Sequence, residues 1–282
     1  MRHKTIKQYK HTIVIVYNKH KKNAKNVALN TSIYFKRYQY KVFINNSMLI
    51  TPRKADFVLS IGGDGTMLKV IRSFAPLSVP VKGINIGALG FLADTNVDDI
   101  VQLLKDLLSS NFTIEKRNLL AIEFNLNNVK VKQIAVNDCI VKSLHANKLI
   151  IVNVKINNTF MNSYKCDGMI IATATGSTAY SLASTGPILY PTLPVFILTA
   201  ISPHTLSQRS IVISDKNSIS FIPKNKSEYK KILISIDGQK NYILNNGEEI
   251  NFSLYTTPFQ LIKQHSCQSF FYTLRSKMHW GI

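Results

Sequence analysis

The stretch Asp56-Phe57-Val58-Leu59-Ser60-Ile61-Gly62-Gly63-Asp64-Gly65-Thr66 decides the fold of the first part of the chain. It begins with a short apolar run, which predicts a buried strand. Glycines then flank Asp64 on both sides, and the apolar residues from Thr66 to Phe74 recur at helical spacing. The stretch therefore predicts a strand that turns sharply into a helix, with a carboxylate at the turn.

The turn at residues 62–66 has the chemistry of an anion-binding site. Glycines let a ligand come close to the backbone, and the N–H groups at a helix N-terminus suit phosphate oxygens. A carboxylate in such a loop is unfavourable unless it serves as a base or holds a metal. Asp64 is therefore the candidate catalytic residue, although an ordinary Asp-Gly turn is the alternative. The candidate phosphate loop consists of Gly62, Gly63, Gly65 and Thr66.

This loop belongs to neither of the two commonest nucleotide-binding patterns. The chain contains no Gly-x-x-x-x-Gly-Lys-[Ser/Thr] run and no Gly-x-Gly-x-x-Gly run. A bound nucleotide must therefore be held in another way.

The segments on either side of the turn alternate between strands and helices. Residues 11–17 and 81–86 are apolar runs that predict two further buried strands, while residues 26–38 and 98–109 predict helices. Strands that alternate with helices predict a parallel sheet covered by helices, which is an α/β domain.

The pattern changes near Thr113. Residues 119–254 consist mostly of short apolar segments separated by Asn and Gly turns, which predicts a second, β-rich domain. A helical segment at residues 178–184 interrupts it. The predicted strands cover residues 120–126, 134–141, 149–156, 169–172, 195–199, 218–222 and 232–236.

A second chemical motif runs from Asp167 to Ser181, where a predicted strand leads into Thr173-Ala174-Thr175-Gly176-Ser177-Thr178-Ala179-Tyr180. Helix capping accounts for one of these hydroxyls but not for the whole set. The remaining hydroxyls predict contacts to polar ligand groups, and the Tyr180 ring offers a stacking face. Asn137-Asp138 and Asp237-Gly238-Gln239 are weaker signals, typical of a strand end and of a hairpin turn.

The bulk composition limits the partners of the chain. Its net charge is +20, which can indicate a nucleic-acid footprint, but the lysines are scattered and the abundance of Lys, Asn and Ile is typical of AT-rich coding. We therefore expect no nucleic-acid partner.

No apolar run approaches the roughly 20 residues that a membrane span needs. The three cysteines form no Cys-x-x-Cys pair, which predicts the reducing cytoplasm and no structural zinc site.

Together these segments resemble the bacterial NAD kinase family, over nearly all of the chain beyond residue 55. Residues 62–66 are similar to the family's GGDG[T/N] motif, and residues 167–181 are similar to its D-G-x-x-x-[A/S]-T-x-T-G-S-T-A-Y-S segment, with Ala174 where proline is frequent. Lipid kinases and phosphofructokinases share GGDG but not the later segments. The further matching segments, in family order, are residues 85–92, 135–138, 203–207, 237–239 and 274–281.

The resemblance implies a fold and an activity. The fold would be an α/β domain over residues 1–116, a β-sandwich domain over residues 117–260, and a C-terminal tail over residues 261–282 that packs on the first domain. The activity would be that of a phosphotransferase that moves the terminal phosphoryl group of ATP to the 2′-hydroxyl of the adenosine ribose of NAD. A divalent cation, Mg²⁺, would sit on the nucleotide phosphates with no protein ligand of its own. The chain would form a homodimer or homotetramer.

The resemblance also implies roles for single residues. Asp64 would be the catalytic base, and Phe91 would lie against the adenine. The NAD-binding residues that it implies are Asp64, Gly65, Phe91, Asn137, Asp138, Lys148, Lys165, Asp167, Thr178, Ala179, Tyr180, Ser181, Ala183 and Gln239.

Two other classes of function stay open at this point. A lipid or sugar kinase could share the GGDG loop, and it would ignore NAD. A non-catalytic nucleic-acid-binding protein would account for the charge, and its binding would fall steeply with salt. Within the NAD kinase hypothesis, the use of polyphosphate as donor, the acceptance of NADH, the oligomer size and feedback by NADP(H) also stay open.

Overall fold

The computed structural model describes residues 11–45, 55–87, 89–145, 149–205, 207–225, 231–264 and 269–279. The chain forms two compact units. The first consists of Met1–Lys116 and Phe259–Ile282, and the second consists of Arg117–Pro258.

The elements of the first unit lie at both ends of the chain. Its strands are β1 (His11–Tyr17), β2 (Tyr40–Asn45), β3 (Phe57–Gly62), β4 (Val81–Asn85), β5 (Thr95–Asn96), β6 (Phe112–Arg117) and, near the C-terminus, β19 (Phe259–Gln264). Its helices are α1 (Ala24–Arg37), α2 (Asp64–Phe74), α3 (Ile100–Leu108) and α5 (Phe270–Met278), with 3-10 turns at Ala75–Leu77 and Val97–Asp99.

One seven-stranded sheet organises the first unit. Its strands lie in the order β2-β1-β3-β4-β19-β6, and β5 also pairs with β4. The pairs β1–β2, β1–β3, β3–β4, β4–β5 and β4–β19 are parallel. The predicted parallel sheet is confirmed, and so is the return of the C-terminal part of the chain to the first domain.

The core of the first unit explains why its strands are apolar along their whole length. Every residue of β3 and β4 is buried, because helices cover the sheet. One apolar cluster joins Ile13 and Leu59 of the sheet to Phe35 of α1 and Leu103 of α3. Among the described residues, no helix has the length and apolarity to cross a membrane.

The second unit contains the remaining elements. Its strands are β7 (Leu120–Leu126), β8 (Val129–Ala135), β9 (Asp138–Ser143), β10 (Ile150–Ile156), β11 (Thr159–Cys166), β12 (Gly168–Thr173), β13 (Val195–Ile201), β14 (Ile211–Ser214), β15 (Ile219–Lys224), β16 (Lys231–Ile236), β17 (Lys240–Asn245) and β18 (Ile250–Leu254). A 3-10 turn (Thr175–Thr178) and the short helix α4 (Tyr180–Ala183) follow β12.

Two six-stranded antiparallel sheets form a sandwich in the second unit. One has the order β11-β10-β15-β18-β7-β8, and the other has the order β14-β13-β12-β9-β16-β17. A single core contains side chains from both sheets, such as Phe221 and Phe252 from the first and Ile171 and Phe196 from the second. The predicted β-sandwich is confirmed.

The structure differs from the sequence prediction at several boundaries. The strand predicted over residues 134–141 is the end of β8 and the start of β9, with Val136 and Asn137 between them. The helix predicted over residues 98–109 is a 3-10 turn followed by α3, and the segment at 178–184 is a 3-10 turn followed by α4. Helix α2 begins at Asp64, two residues before the predicted start, which places the Asp64 carboxylate in its first turn.

Candidate functional site

Asp64 lies directly after β3, and the backbone of a later loop holds its carboxylate. The N–H of Phe91 donates to Oδ2 at 2.9 Å, while the N–H groups of Leu92 and Ala93 donate to Oδ1 at 3.1 and 2.9 Å. Hydrogen bonds from several amides to a carboxylate are strong and directional, so they fix its orientation. We call residues 90–93 the amide cradle.

Two glycines let the amide cradle come this close. A Cβ added at Gly90 would lie 2.0 Å from Oδ1 of Asp64, and a Cβ added at Gly83 on β4 would lie 2.6 Å from the Cα of Ala93. Cβ atoms essentially never approach other heavy atoms to such distances, so both positions require glycine because of space. The cradle therefore packs closely against Asp64 of α2 and against Gly83 of β4.

A small cavity lies beside the first turn of α2. Its volume is about 190 Å³, and Asn18 donates its side-chain amide to Oγ1 of Thr66 at 3.3 Å in its wall. Cationic side chains and the N-terminal end of a helix together suit an anion. The lining residues are Val16, Tyr17, Asn18, Lys19, His20, Thr66 and Lys69.

The second unit contains a similar arrangement around Asp237, in the turn between β16 and β17. Its Oδ1 accepts the N–H of Asn137 at 2.7 Å and that of Asp138 at 3.3 Å, and both carboxylate oxygens lie 3.1 Å from the N of Val136. These amides point at a carboxylate instead of a neighbouring strand. This interaction separates β8 from β9 and fixes the backbone of Asn137-Asp138.

A cavity of about 440 Å³ opens over this backbone. It brings together the predicted residues Asn137, Asp138, Ala179 and Tyr180, and Tyr180 is 45% exposed. The other lining residues are Ile140, Lys142, Leu233, Ser235, Asp237, Gly238 and Asn241. The volume and the mixed polar and apolar wall suit a small organic ligand.

The hydroxyl-rich segment after β12 supports the Asn137 side of this cavity. The Thr173 hydroxyl donates to the carbonyl of Val136 at 2.7 Å and accepts the N–H of Gly176 at 3.1 Å. A Cβ at Gly176 would lie 2.1 Å from the carbonyl oxygen of Asn137. Ser181 is fully buried, with its hydroxyl 3.2 Å from Oγ1 of Thr199. The hydroxyls of Thr173 and Ser181 therefore stabilise the local fold.

Asp138 carries an unusual proton affinity for a carboxyl group. Its burial raises its pKa, and the nearby charge of Asp237 raises it further, while the backbone N–H of Tyr180 opposes both effects. The resulting pKa is about 7. The Asp138 carboxyl therefore titrates near neutral pH.

This shift predicts a pH-dependent stability. A carboxyl whose pKa rises from 3.8 to about 7 on folding stabilises the folded state at low pH, and this contribution is lost as pH rises from about 4 to about 7. Asp138→Asn should abolish this loss of stability. The melting temperature of the variant minus that of wild type should therefore increase as the pH is raised from 5 to 8. Over the whole range from about pH 4 to about pH 7, the loss of unfolding free energy amounts to roughly 4 kcal/mol, at about 1.36 kcal/mol per pKa unit. Thermal unfolding of both proteins across this range measures the difference.

The exposed Asp98 offers a matched control for that experiment. The melting temperature of Asp98→Asn should differ from that of wild type by the same amount at every pH in this range. If the melting temperatures of Asp138→Asn and wild type differ by a constant amount from pH 5 to pH 8, the Asp138 carboxyl does not titrate in that range.

The other predicted residues occupy varied positions. The ring of Phe91 is half-buried, 6.1 Å from the ring of Phe270 and 5.7 Å from Nζ of Lys277, both on α5. Lys165, Asp167 and Ala183 are exposed, whereas Thr178 and Gln239 are half-buried. Lys148 lies outside the described residues.

Sequence reasoning did not single out two residues that shape these sites. The sequence predicts Asp237 as part of a hairpin turn and of a matching segment, without a role of its own, yet its buried carboxylate organises Asn137-Asp138. Gly90 stands within the matching segment 85–92 without a predicted role, yet its missing side chain admits the Asp64 carboxylate. The usable signal is that each Asp-Gly pair, 64–65 and 237–238, stands directly after a predicted strand.

The described residues contain no group of three or more His, Cys, Asp or Glu side chains that could hold a metal ion.

Comparisons with known proteins agree on one family. Residues 11–112 match the ATP-NAD kinase N-terminal domain, and residues 136–264 match the ATP-NAD kinase C-terminal domain. The NAD kinase of Protochlamydia amoebophila is 38% identical over 227 residues, which cover 80% of this chain and 78% of the relative. The NAD kinase of Sulfurimonas denitrificans is 34% identical over 228 residues, which cover 81% and 78%.

Two solved structures share the fold. Yeast NADH kinase in complex with NADH aligns with a TM-score of 0.87 at 20% identity, over 96% of this chain and 88% of that one. An NAD kinase from Archaeoglobus fulgidus in complex with ATP aligns with a TM-score of 0.77 at 26% identity, over 95% and 98%. With both of its domains matched and with relatives more than 30% identical along most of their length, the chain belongs to the ATP-NAD kinase family.

Proposed function

We propose that this chain transfers the terminal phosphoryl group of ATP to the 2′-hydroxyl of the adenosine ribose of NAD, producing NADP and ADP. The observation that carries the proposal is the Asp64 carboxylate, which stands at a glycine turn in a fixed orientation. The ATP in the Archaeoglobus fulgidus complex supports ATP as the donor. The family assignment does not favour a lipid or sugar kinase or a nucleic-acid-binding protein.

Asp64 is the proposed general base. Its Oδ1 accepts two amide protons and its Oδ2 accepts one, so Oδ2 has more capacity left for the ribose proton. As the ribose oxygen bonds to the terminal phosphorus, its proton passes to Asp64 and the bond from that phosphorus to ADP breaks. Phosphoryl transfer depends chiefly on positioning and charge neutralisation. The divalent cation, expected to be Mg²⁺, supplies charge neutralisation when it is bound to the donor phosphates.

The phosphate and NAD contacts extend this proposal to other residues. The loop of Gly62, Gly63, Gly65 and Thr66 holds phosphate oxygens, and the cations Lys19 and Lys69 of the adjoining cavity support an anionic ligand there. The NAD-binding set consists of Asp64, Gly65, Phe91, Asn137, Asp138, Lys148, Lys165, Asp167, Thr178, Ala179, Tyr180, Ser181, Ala183 and Gln239.

The proposed setting is the cytoplasm, and the proposed assembly is a homodimer or homotetramer. Two cysteines, Cys139 and Cys166, are free and buried, which suits a reducing compartment.

The direct test is NADP production. Purified protein is incubated with NAD, ATP and Mg²⁺, and NADP is measured by an enzymatic cycling assay, in parallel with inorganic polyphosphate as donor and with NADH as acceptor. We expect NADP from NAD and ATP. If the folded protein makes none with either donor, the proposal fails.

Gly176→Ala tests the NAD pocket separately from the chemistry. The added Cβ would lie 2.1 Å from the carbonyl oxygen and 2.5 Å from the carbonyl carbon of Asn137, and backbone atoms cannot move away cheaply. We expect the Asn137-Asp138 backbone to shift and the KM for NAD to rise at least about tenfold, since misplacing a positioned contact by about 1 Å can cost 10²-fold. Initial rates at varied NAD and at varied ATP measure the effect. An equal rise in the KM for ATP would contradict this local role.

A further inference from the structure

Three charged side chains, two of them buried, form a cluster next to the amide cradle. Nζ of Lys82 lies 2.7 Å from Oδ1 of Asp94, and Nζ of Lys263 lies 2.6 Å from Oδ2. The side chains of Lys82 and Asp94 are 0% and 3% exposed, and that of Lys263 is 22% exposed. We call these residues the charge triad.

Burying charged side chains is an energetically unfavourable way to stabilise a protein core. Burial by itself would raise the pKa of Asp94, but the two ammonium groups outweigh it and hold the pKa at about 2. Apolar side chains of similar size often stabilise a protein as well as buried ion pairs do or better, because charges lose their hydration on burial. The triad therefore calls for a role besides stability.

The position of Asp94 in the chain indicates what the triad holds. Asp94 directly follows Ala93, the last residue of the cradle. Lys82 adjoins Gly83 on β4, and the backbone of Gly83 lies close to Ala93. Lys263 belongs to β19, the neighbour of β4 in the sheet. The triad thus ties the end of the cradle to two adjacent strands.

A second contact strengthens the same connection. The Thr95 hydroxyl donates to Oε1 of Gln264 at 3.2 Å, and Nε2 of Gln264 donates to Asp106 on α3 at 2.7 Å. Each of two consecutive residues after the cradle, 94 and 95, is therefore bonded to β19 through a side chain.

We infer that Asp94, held by Lys82 and Lys263, is a positioning residue for Asp64, because it fixes the backbone amides that orient the Asp64 carboxylate. Asp94 contacts neither Asp64 nor substrate in this proposal and acts through the three N–H groups of the cradle. Its consequence for catalysis rests on the proposed function of Asp64 as the base. A loosely held base loses rate because proton transfer and phosphoryl transfer require precise placement.

Hydrogen exchange tests the structural half of this inference without any assay of activity. Asp94→Asn removes the charge at nearly constant shape, and Lys263→Met leaves the buried Lys82–Asp94 pair intact in case the first variant does not fold. The matched control is Asp56→Asn, because Asp56 is an exposed carboxylate in the same unit that accepts the backbone N–H of Thr12 at the opposite end of β3. We expect amides in a peptide covering residues 90–93 to exchange at least about tenfold faster in both triad variants and unchanged in the control. Unchanged exchange in the folded triad variants would overturn the inference.

Steady-state kinetics tests the catalytic half. We expect kcat for NADP formation to fall about 10- to 100-fold in Asp94→Asn, and less in Lys263→Met, with the KM values for NAD and ATP within about twofold of wild type. In an Asp64→Asn background, Asp94→Asn should lower the residual rate no further, because both changes act on one carboxylate. Lower melting temperatures with unchanged kcat would reduce the triad to a stabilising element.

The two experiments separate this inference from the proposed function. If wild type makes no NADP, the proposed function fails, whereas the exchange rates still decide whether the triad holds the cradle. If wild type is active and the cradle exchanges faster while kcat is unchanged, the proposed function stands and the positioning role is wrong.

Discussion

Asp64→Asn should lower kcat for NADP formation by about 10²- to 10⁴-fold, the range that a positioned general base contributes. The substitution keeps the size of the side chain but removes its capacity to take a proton from the ribose. It also turns one acceptor oxygen into an N–H donor facing the amide cradle, where three N–H groups already point at the side chain. Rates at saturating NAD and ATP, with NADP measured by enzymatic cycling, provide the measurement.

Binding and stability data separate loss of chemistry from loss of structure in that variant. NAD affinity, measured by calorimetry, should change far less than kcat, because the ribose proton is transferred only during the reaction. The melting temperature should fall slightly, because one cradle hydrogen bond is lost. Activity within about tenfold of wild type in Asp64→Asn would rule out the base role while leaving the family assignment intact.

Local patterns in the sequence predicted the parts of the fold that depend on neighbouring residues. The strand, glycine turn and helix around Asp64 were predicted because an apolar run, a glycine cluster and a helical repeat follow one another within 20 residues. The sandwich was predicted as β-rich for the same reason. The boundary of α2 was missed by two residues, because Asp64 is both the first helical residue and the acceptor of the cradle amides.

The rest depends on partners that are distant in the chain. The strand predicted over residues 134–141 was wrong because Asp237, about 100 positions later, takes the amides of residues 136–138. The charge triad joins positions 82 and 94 to position 263, and the sequence contains no local sign of that pairing. The fourteen NAD-binding residues that the resemblance implies stay a prediction. Four of them, Asn137, Asp138, Ala179 and Tyr180, line the 440 Å³ cavity.

Gly90→Ala should be nearly as damaging as the loss of the base, although it removes no chemical group. The new Cβ would lie 2.0 Å from Oδ1 and 2.6 Å from Cγ of Asp64, so the carboxylate or the cradle must move by more than an ångström to restore normal contact. Displacements of about 1 Å can cost about 10²-fold in rate. We therefore expect kcat to fall at least about 10²-fold, with smaller changes in both KM values. Steady-state rates at varied NAD and varied ATP check this.

Gly247→Ala provides the control for strain in a glycine turn. Gly247 has a positive φ of 82° in the turn before β18, and a Cβ there would meet nothing within 4 Å. This variant should lower the melting temperature through backbone strain and leave kcat unchanged. If Gly90→Ala behaves in the same way, its glycine serves folding rather than the Asp64 carboxylate.

A double variant then identifies the atom through which Gly90 acts. If the Cβ of Ala at position 90 reduces the rate by displacing the Asp64 carboxylate, Gly90→Ala should have almost no further effect on kcat in an Asp64→Asn background, because the group it displaces no longer accepts the proton. Additive losses would mean that the cradle also contributes to kcat independently of the Asp64 carboxylate, for example through the proposed contact of Phe91 with NAD. The size of the coupling therefore measures how much of the Gly90→Ala effect passes through the Asp64 carboxylate.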